Sequence, residues 1–579
     1  MLSQLRRAPW TMAVLAYLGL SVALLLPAWQ DPTHVAAGVP GDPVFFQWIL
    51  AWVPAAIAHG HNPLISGFMY HPVGINLMWN TSFTLPAALM SPVTVLGGPI
   101  LAWNVLLTLA LASSAAAAYC AASRITGSAA GAFVAGLIYG FSPYMVGQSF
   151  GHVFLVVAVF PPLVLLLLHE GVGTGRWSNP RTGAALGVLA AAQVLVSLEV
   201  LATTALLAAA GLVVLALLNR ADLRQGAYRL AVAAGAALLV ALPLAAFPLY
   251  TMFAGPQRIR GQFHAGGVWI ADLANFFTPT ALQAVTPSPP FDVSQTGLVE
   301  TTAFLGTPLI LLLAVTIFLL RRDRTVRWLG IMGAFAACCA LGEHLHWQLR
   351  DTGIPLPWLV FAHVPLLQDA LPIRITLYVF LAAGLLVAAL IAHAQREGST
   401  RLQWISIVGV AAIAVTLFPK LPFPSTPHRV PAYFSDGRTS SIAPGSVALL
   451  LPMPNPGLRF PNANHNESLL WQADTGVRFR IFGGYGFIPD PAGNGTLEPP
   501  ASALTDRVLS LQAGSNVSLP DASEQERLRA ELRELGVSTV IVAPMKYQAN
   551  AVQFFRLVLQ RPPVRQPGGV LTWEGLPGA

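Results

Sequence analysis

Charge is what this sequence has least of. Only 10% of its 579 residues are Asp, Glu, Lys or Arg, against about 25% in soluble globular proteins. That shortage excludes a soluble fold for most of the chain. With 55% hydrophobic residues and a mean hydropathy of +0.62, it leaves a polytopic membrane protein. Lysine is nearly absent: only Lys420 and Lys546 occur, so the positive charge is carried by arginine. Cysteine is scarce too. Cys120, Cys338 and Cys339 lie inside or at the edge of apolar runs, which excludes a disulfide framework and any metal-finger spacing. A nucleotide-binding glycine fingerprint is missing, because Gly483-Gly484-Tyr485-Gly486 lacks the strand–helix spacing that would cradle a phosphate. No small-residue cleavage site follows the Arg6-Arg7 start, so the first apolar run reads as an uncleaved span rather than a signal peptide. No internal repeat is visible.

What is present is a series of apolar stretches. A membrane-crossing helix needs about 20 mostly apolar residues. Candidate spans are Trp10–Trp29, Leu101–Ala122, Ala129–Val146, Val153–Leu168, Gly183–Leu198, Leu201–Leu218, Leu230–Tyr250, Ala303–Leu320, Leu329–Leu341, Ile375–His393 and Ile405–Phe418, about eleven in all. A net charge of +7 and a pI near 9.6 would point to nucleic acid in a soluble protein. Here the arginines sit in short loops between spans, so topology explains them and no nucleic-acid partner is expected. With Arg6 and Arg7 inside, the alternate loops carry Arg124; Arg176 and Arg181; Arg220, Arg224 and Arg229; Arg321, Arg322, Arg324 and Arg327; and Arg396 and Arg401. Every basic cluster in a short loop then falls on the cytoplasmic side. This predicts an odd number of spans and an outside C-terminal region. Heavy use of Ala, Leu and Arg points to a GC-rich bacterial genome, hence a bacterial cytoplasmic membrane.

Two parts follow: a transmembrane domain over 1–418 and an extracytoplasmic α/β domain over 419–579. In the first, the outer loop 30–98 is the largest. Its stretch Val44–Ala58 is apolar all round, yet at 1.5 Å per residue it covers only about 22 Å. With Phe45, Phe46, Trp48 and Trp52 it is expected to lie in the membrane interface, and Phe83–Leu96 to dip into the membrane. Phe141–His152 and the region around Ser197–Val200 read as tight turns, and Gly342–Arg374 as a re-entrant or surface segment. In the second part, Val447–Leu451, Val537–Val542 and Val570–Trp573 read as strands. Ser523–Leu535 reads as a charged helix with Leu528, Leu532 and Leu535 on one face.

The candidate functional residues all belong to the expected outer side. Asp42, between Gly41 and Pro43, has two readings. Asp followed by Pro is a good N-cap and first-turn pair. A carboxylate just after the first span also sits where a lipid-linked substrate presents its head group. Glu199, in S-L-E-V, lies at the outer end of a span pair, where a carboxylate is either functional or exposed in a turn. His152, in Q-S-F-G-H, is a turn residue or a substrate ligand. Arg258 and Arg260 break the inside-positive trend and are phosphate candidates. Arg374, in L-P-I-R, suits a lipid phosphate or snorkels to the interface. Trp79 and Asn80 would form a sugar platform or pack at the interface. Asp272, Glu300 and Asp369 are weaker acid candidates, each read first as a solvated loop residue. His59, His61 and His71 raise a metal question that their spacing does not support; a divalent metal requirement stays open. Asn-x-Ser/Thr sequons occur at Asn80, Asn466, Asn494 and Asn516.

An N-terminal span, a large first outer loop headed by Gly41-Asp42, interfacial helices, many spans and an outer C-terminal domain resemble the polytopic glycosyltransferases of the C type (GT-C). That resemblance implies a polyprenyl-phosphate-linked sugar donor, a glycan, lipid or protein acceptor, inversion at the anomeric carbon, and a first-loop carboxylate that acts as general base or positions the acceptor, for which Asp42 is the candidate base; Glu199 joins it as a catalytic candidate on its position alone. The resemblance also implies membrane lipid as surroundings and no nucleotide site. The W-W-D motif of oligosaccharyltransferases is missing. Competing readings are a transporter or flippase of lipid-linked glycans, and a non-catalytic cell-envelope assembly protein. A transporter would place ionisable residues at mid-membrane in matched halves, whereas here most acids cluster at outer ends.

Overall fold

The computed structural model describes residues 8–218, 223–263, 269–286, 298–364, 367–515 and 518–577. Arg6, Arg7, Arg220 and Asn516 lie outside them. The apolar stretches expected to span fall mostly on helix, with breaks such as Val157–Val159 inside Val153–Leu168, and Ala303–Leu320 becomes helical only from Thr307. The principal helices are α1 Ala8–Leu24, α2 Asp42–Ala58, α3 Thr84–Thr126, α4 Ala129–Gly140, α5 Pro143–Gln148, α6 Phe160–Leu168, α7 Asn179–Val194, α8 Leu198–Leu218 and α9 Leu223–Ala254. Further along come α10 Thr307–Leu319, α11 Arg324–Ala340, α12 Thr376–Arg396 and α13 Thr400–Thr416. Among the described residues six helical segments are long and apolar enough to cross a membrane: Thr84–Thr126, Ala129–Gln148, Val153–Gly173, Leu198–Leu218, Arg224–Ala254 and Pro372–Arg396. The last is the central one, with 89% of its apolar window inside the protein against 11% for Arg224–Ala254. Whatever stands at the N-terminal mouth of α12 therefore stands at the middle of the bundle, and Arg374 is in the 3-10 turn Pro372–Ile375 just before it.

The first outer loop departs from expectation in an instructive way. The helix is there, as α2, but most of its surface is covered by protein. Phe45, Phe46, Trp48, Trp52 and most of its other side chains are buried. An apolar-all-round helix is satisfied by burial on every side. Here protein supplies that burial, α3 on one side and the C-terminal region on the other. The segment expected to dip into the membrane is the first part of α3, bent at Gly98, whose φ of 81° no ordinary helical residue adopts. The Phe141–His152 turn contains α5. Gly342–Arg374 carries an antiparallel hairpin, His344–Trp347 with Arg350–Pro355, whose second strand is fully exposed, so its surface reading holds there.

In the C-terminal region β1 Val35–Ala37 from the first outer loop pairs antiparallel with β2 Ser425–Pro427. Beyond it, β3 Val447–Leu451, β4 Val537–Val542, β5 Val564–Arg565 and β6 Leu571–Trp573 form a four-stranded sheet in the order β5-β6-β4-β3, with β3 and β4 parallel and β6 antiparallel to β4. Both faces of β3 and β4 are buried, as continuous apolar runs require. Helices α14 Ser468–Asp474, α15 Ala503–Ala513, α16 Ala522–Glu534 and α17 Gln548–Leu559 complete the region. Leu528 and Leu532 of α16 and Phe554 and Phe555 of α17 share one core with the sheet.

This region is stitched to the first outer loop by buried polar contacts. Trp48 donates its indole N–H to Gln472 Oε1 at 2.7 Å, and Gln472 donates to the carbonyls of Phe68 and Phe479. The Tyr70 hydroxyl bonds the carbonyls of Gly486 (3.0 Å) and Leu497 (2.8 Å).

Candidate active site

A cavity of about 540 Å³ opens at one end of the bundle, at the N-terminal mouth of α12. Its walls come from α2, the loop after it, the loop after α5, the first turn of α8, the mouth of α12 and the C-terminal region. Asp42, His152, Glu199, Glu300, Asp369 and Arg374 line it. Asp42 and His152 face each other, Oδ2 to Nε2, at 2.7 Å. Arg374 donates from Nε and Nη2 to Glu300 Oε1 at 3.0 and 2.6 Å, and from Nη1 to Glu199 Oε2 at 2.6 Å. Gln148 links the two halves, its Nε2 donating to Glu300 Oε2 at 2.9 Å and its Oε1 lying 2.6 Å from His152 Nδ1. From the C-terminal region, the Tyr485 hydroxyl donates to Asp42 Oδ1 at 2.5 Å.

The local backbone explains how Asp42 reaches this position. Helix α2 starts at Gly41, with φ of 118°, and no side chain caps it. Asp42 is the first helical residue, not the cap, and its carboxylate points at His152 and Tyr485 instead of the helix N–H groups. The capping alternative for Asp42 is thereby excluded.

Gln148 Nε2 faces two acceptors, Glu300 Oε2 and the Val299 carbonyl, so its oxygen faces His152 Nδ1, while His152 Nε2 faces the Asp42 carboxylate. Arg374 spends three of its five N–H groups on carboxylates, and two remain.

Burial pushes the Asp42 carboxyl up. The hydrogen bond and charge of His152, the Tyr485 hydroxyl and Arg374 outweigh that, so Asp42 sits below the ordinary carboxylate range. Its side chain keeps 38% of its surface accessible, on the cavity side. Glu300, at 4% exposure, is likewise pushed up by burial and brought below its ordinary range by Arg374, His152 and Gln148.

Of the residues singled out from sequence, Asp42, His152, Glu199, Arg374, Trp79 and Asn80 all line this cavity. Three are placed otherwise than expected. Arg258 and Arg260 are exposed and do not line it; the Arg260 backbone instead bonds Gly493. Asn80 is 6% exposed; its Nδ2 donates to the Asn76 and Phe487 carbonyls, and its Oδ1 accepts from Phe487 N. It holds the C-terminal region in place, and both Nδ2 hydrogens are already used. Trp79 donates to the Met252 carbonyl and packs on Phe253 and Phe263. Glu199 is no turn-exposed charge, because Arg374 and the Leu371 N–H hold both its oxygens.

Glu300, expected to be a solvated loop acid, is the most buried carboxylate of the cluster. Asp272, also read as solvated, is 2% exposed and caps backbone N–H groups of Ala274, Gln348 and Leu349. His71 bonds the Leu535 carbonyl, and His59 and His61 stack near Trp52. Among the described residues no three His, Cys, Asp or Glu side chains form a metal-binding group. Gln148 was missed, although its four-residue spacing from His152 was on view; Tyr485 had no sequence signal beyond its glycine neighbours.

The cavity thus belongs to a helical protein with several potential membrane-crossing segments. No known family profile matches the chain, and no curated protein does. Solved structures similar to it include crystal structures of the Archaeoglobus fulgidus oligosaccharyltransferase. The apo form gives a TM-score of 0.43 at 11% identity, covering 92% of this chain and 69% of that one. The form tethered by a disulfide to an acceptor peptide with an NVT sequon gives 0.46 at 12% identity, covering 95% and 72%. The complex with Zn and sulfate gives 0.39 at 11%, covering 91% and 67%. TM-scores below 0.5 carry no argument about activity, so the functional reading stands on the cavity.

Proposed function

We propose that this protein is a multi-pass membrane glycosyltransferase of the C type. It takes a sugar from a polyprenyl-phosphate donor and passes it to a hydroxyl of a glycan, lipid or protein acceptor on the outer face of a bacterial cytoplasmic membrane. The chain would cross about eleven times, with residues 419–579 as the outer domain. The observation that carries the reading is the carboxylate of Asp42. It is released from helix capping, ionised, and set in a cavity beside Arg374 and His152.

The chemistry follows from those groups. The acceptor oxygen attacks the anomeric carbon from the face opposite the phosphate, the bond from that carbon to the phosphate oxygen breaks, and its electron pair leaves with the phosphate. That single displacement inverts the centre. Asp42 receives the acceptor proton. Its two bound donors occupy two of roughly four lone-pair sites, leaving room for one more. A carboxylate held below its ordinary range is a weak base, so the proton moves late, once the acceptor oxygen is bonding to the sugar and has become acidic. The two unspent N–H groups of Arg374 are at hand for the charge on the departing phosphate.

A second, almost wholly apolar cavity of about 310 Å³ supports a lipid-linked donor. Its upper lining includes Thr204 and Tyr378. These lie five and four residues beyond Glu199 and Arg374, about 6–8 Å along their helices. An isoprenoid chain would continue there from a phosphate held above.

The test is reconstitution. Purified protein in liposomes receives polyprenyl-phosphate-linked radiolabelled hexoses and a membrane extract as acceptor source. Label moving from the donor into new product supports the enzyme. Labelled lipid crossing the bilayer unchanged, with no transfer, supports a transporter and sinks the proposal.

A further inference from the structure

The glycine-rich segment Gly483-Gly484-Tyr485-Gly486, unsuited to nucleotide binding, has a different use. We propose that it is a rigid arm by which the C-terminal region delivers Tyr485 as a positioning residue for the Asp42 carboxylate, so that the candidate active site is complete only with that region in place.

Close approach accounts for all three glycines. A Cβ on Gly483 would strike the Pro454 carbonyl oxygen. One on Gly484 would strike Met69 and lie 2.5 Å from Tyr70 Cε2. One on Gly486 would lie 2.6 Å from Ile75 Cδ1 and 2.9 Å from the Phe45 ring. At Gly484 and Gly486 the arm is pressed against side chains of residues 45–75, and at Gly483 against Met453 and Pro454 of its own region. It is also fastened at both ends. Tyr70 N donates to the Gly483 carbonyl and His71 N to the Ile481 carbonyl. Asn80 clamps Phe487 from both sides of its peptide, at 2.9 and 2.6 Å, and Gly486 N donates to the Tyr70 hydroxyl at 3.2 Å.

Between these fastenings Tyr485 is the one side chain that the four-residue segment sends into the cavity. Its ring lies against Phe45, with centroids 6.5 Å apart, and its hydroxyl meets Asp42 Oδ1. His152 takes the other oxygen. Two donors, one from each part of the chain, thus fix the plane of the carboxylate. Burial and the neighbouring Asp42 charge push the Tyr485 phenol well above its ordinary range, so it stays a neutral donor at any working pH.

A role in transfer rests on the proposed function; the contact with Asp42 does not. Tyr485→Phe removes one oxygen and keeps the ring. In carboxylate-labelled protein at neutral pH, an infrared difference spectrum against Asp42→Asn isolates the Asp42 band. That band is expected to move in Tyr485→Phe. In the transfer assay kcat is expected to fall about tenfold with KM for the acceptor little changed. The acid limb of kcat/KM moves to higher pH, because the anion has lost a donor that favoured it. Asn80→Ala, which unfastens the arm without touching either group, is expected to move the band in the same direction. An unmoved band in Tyr485→Phe overturns the inference whatever the transfer assay reads. A moved band with unchanged kcat and pH profile overturns the positioning role. A moved band in a protein that transfers no sugar overturns only the proposed function.

Discussion

Arg374 holds the candidate site together, and Arg374→Gln tests that claim through stability alone. Its guanidinium serves Glu300 through two N–H groups and Glu199 through a third, with all three side chains at most 15% exposed. Removing one partner of a buried pair costs about 3–5 kcal/mol, because a charge is left unpaired. Two carboxylates are orphaned here, so the loss is expected at or above the lower end of that range. Protonation offers a partial escape. Without Arg374, burial leads at Glu300 and pushes its carboxyl above the ordinary value of 4.5. A carboxyl raised in the folded state is tolerated when protonated and costs stability as pH rises. Arg374→Gln should therefore be destabilised more at pH 8 than at pH 5. Adding Glu300→Gln to it should recover part of the loss, since one orphaned charge is gone. Intrinsic-fluorescence melting in detergent at both pH values reads all three proteins. A single variant melting like wild type at pH 8, or a double variant less stable than the single, would refute the reasoning.

Other expectations are independent of catalysis. His428 is 6% exposed with no partner for either ring nitrogen, and burial pushes it from 6.5 down to about 4. An unfolded chain takes up this proton below 6.5 while the folded one refuses it, so stability falls as pH drops through that window, by up to roughly 3 kcal/mol. Melting temperature against pH should fall less steeply for His428→Phe than for wild type between pH 6.5 and 4; parallel curves would count against this. Trp48→Phe leaves the buried Gln472 oxygen without its donor, which should cost about 1–3 kcal/mol and speed proteolysis between the first outer loop and the C-terminal region; unchanged melting would contradict it. If Asp42 and Glu300 are ionised and paired, their contribution is present above their ordinary values of 3.8 and 4.5. It is lost only as pH falls further, so an Asp42-dependent acid limb of activity should lie below 3.8; a limb at neutral pH would point to another base.

Much of the helical layout was legible because apolar runs between arginine-bearing loops have few other outcomes. The strands at Val447–Leu451 and Val537–Val542 were legible to the residue, since a short β-branched run bounded by turn residues is a local signal. The fate of α2 was not. An apolar-all-round helix too short to span is equally content in a lipid interface or inside protein, and only tertiary contacts such as Trp48 with Gln472 decide. The same limit governed the site. Asp42, His152, Glu199 and Arg374 could be named from their place at outer span ends, but nothing local says that Arg374 bridges Glu199 and Glu300. Glu300 looked solvated because its loop is polar, and burial by neighbours 150 residues away in sequence is invisible in a window. Arg258 and Arg260 misled for the converse reason: outer-side charge is also what a plain solvated loop carries. Asn80 was read as a sugar ligand because its partner, the Phe487 backbone, lies in a distant part of the chain.

The most direct test of the central claim compares wild type with Asp42→Asn, purified alike, in sugar transfer from a polyprenyl-phosphate donor under single-turnover conditions. The isosteric amide keeps the cavity but cannot take the acceptor proton. The prediction is a rate lowered by about 10²–10⁴-fold with donor binding retained. Undiminished transfer by Asp42→Asn would contradict the account.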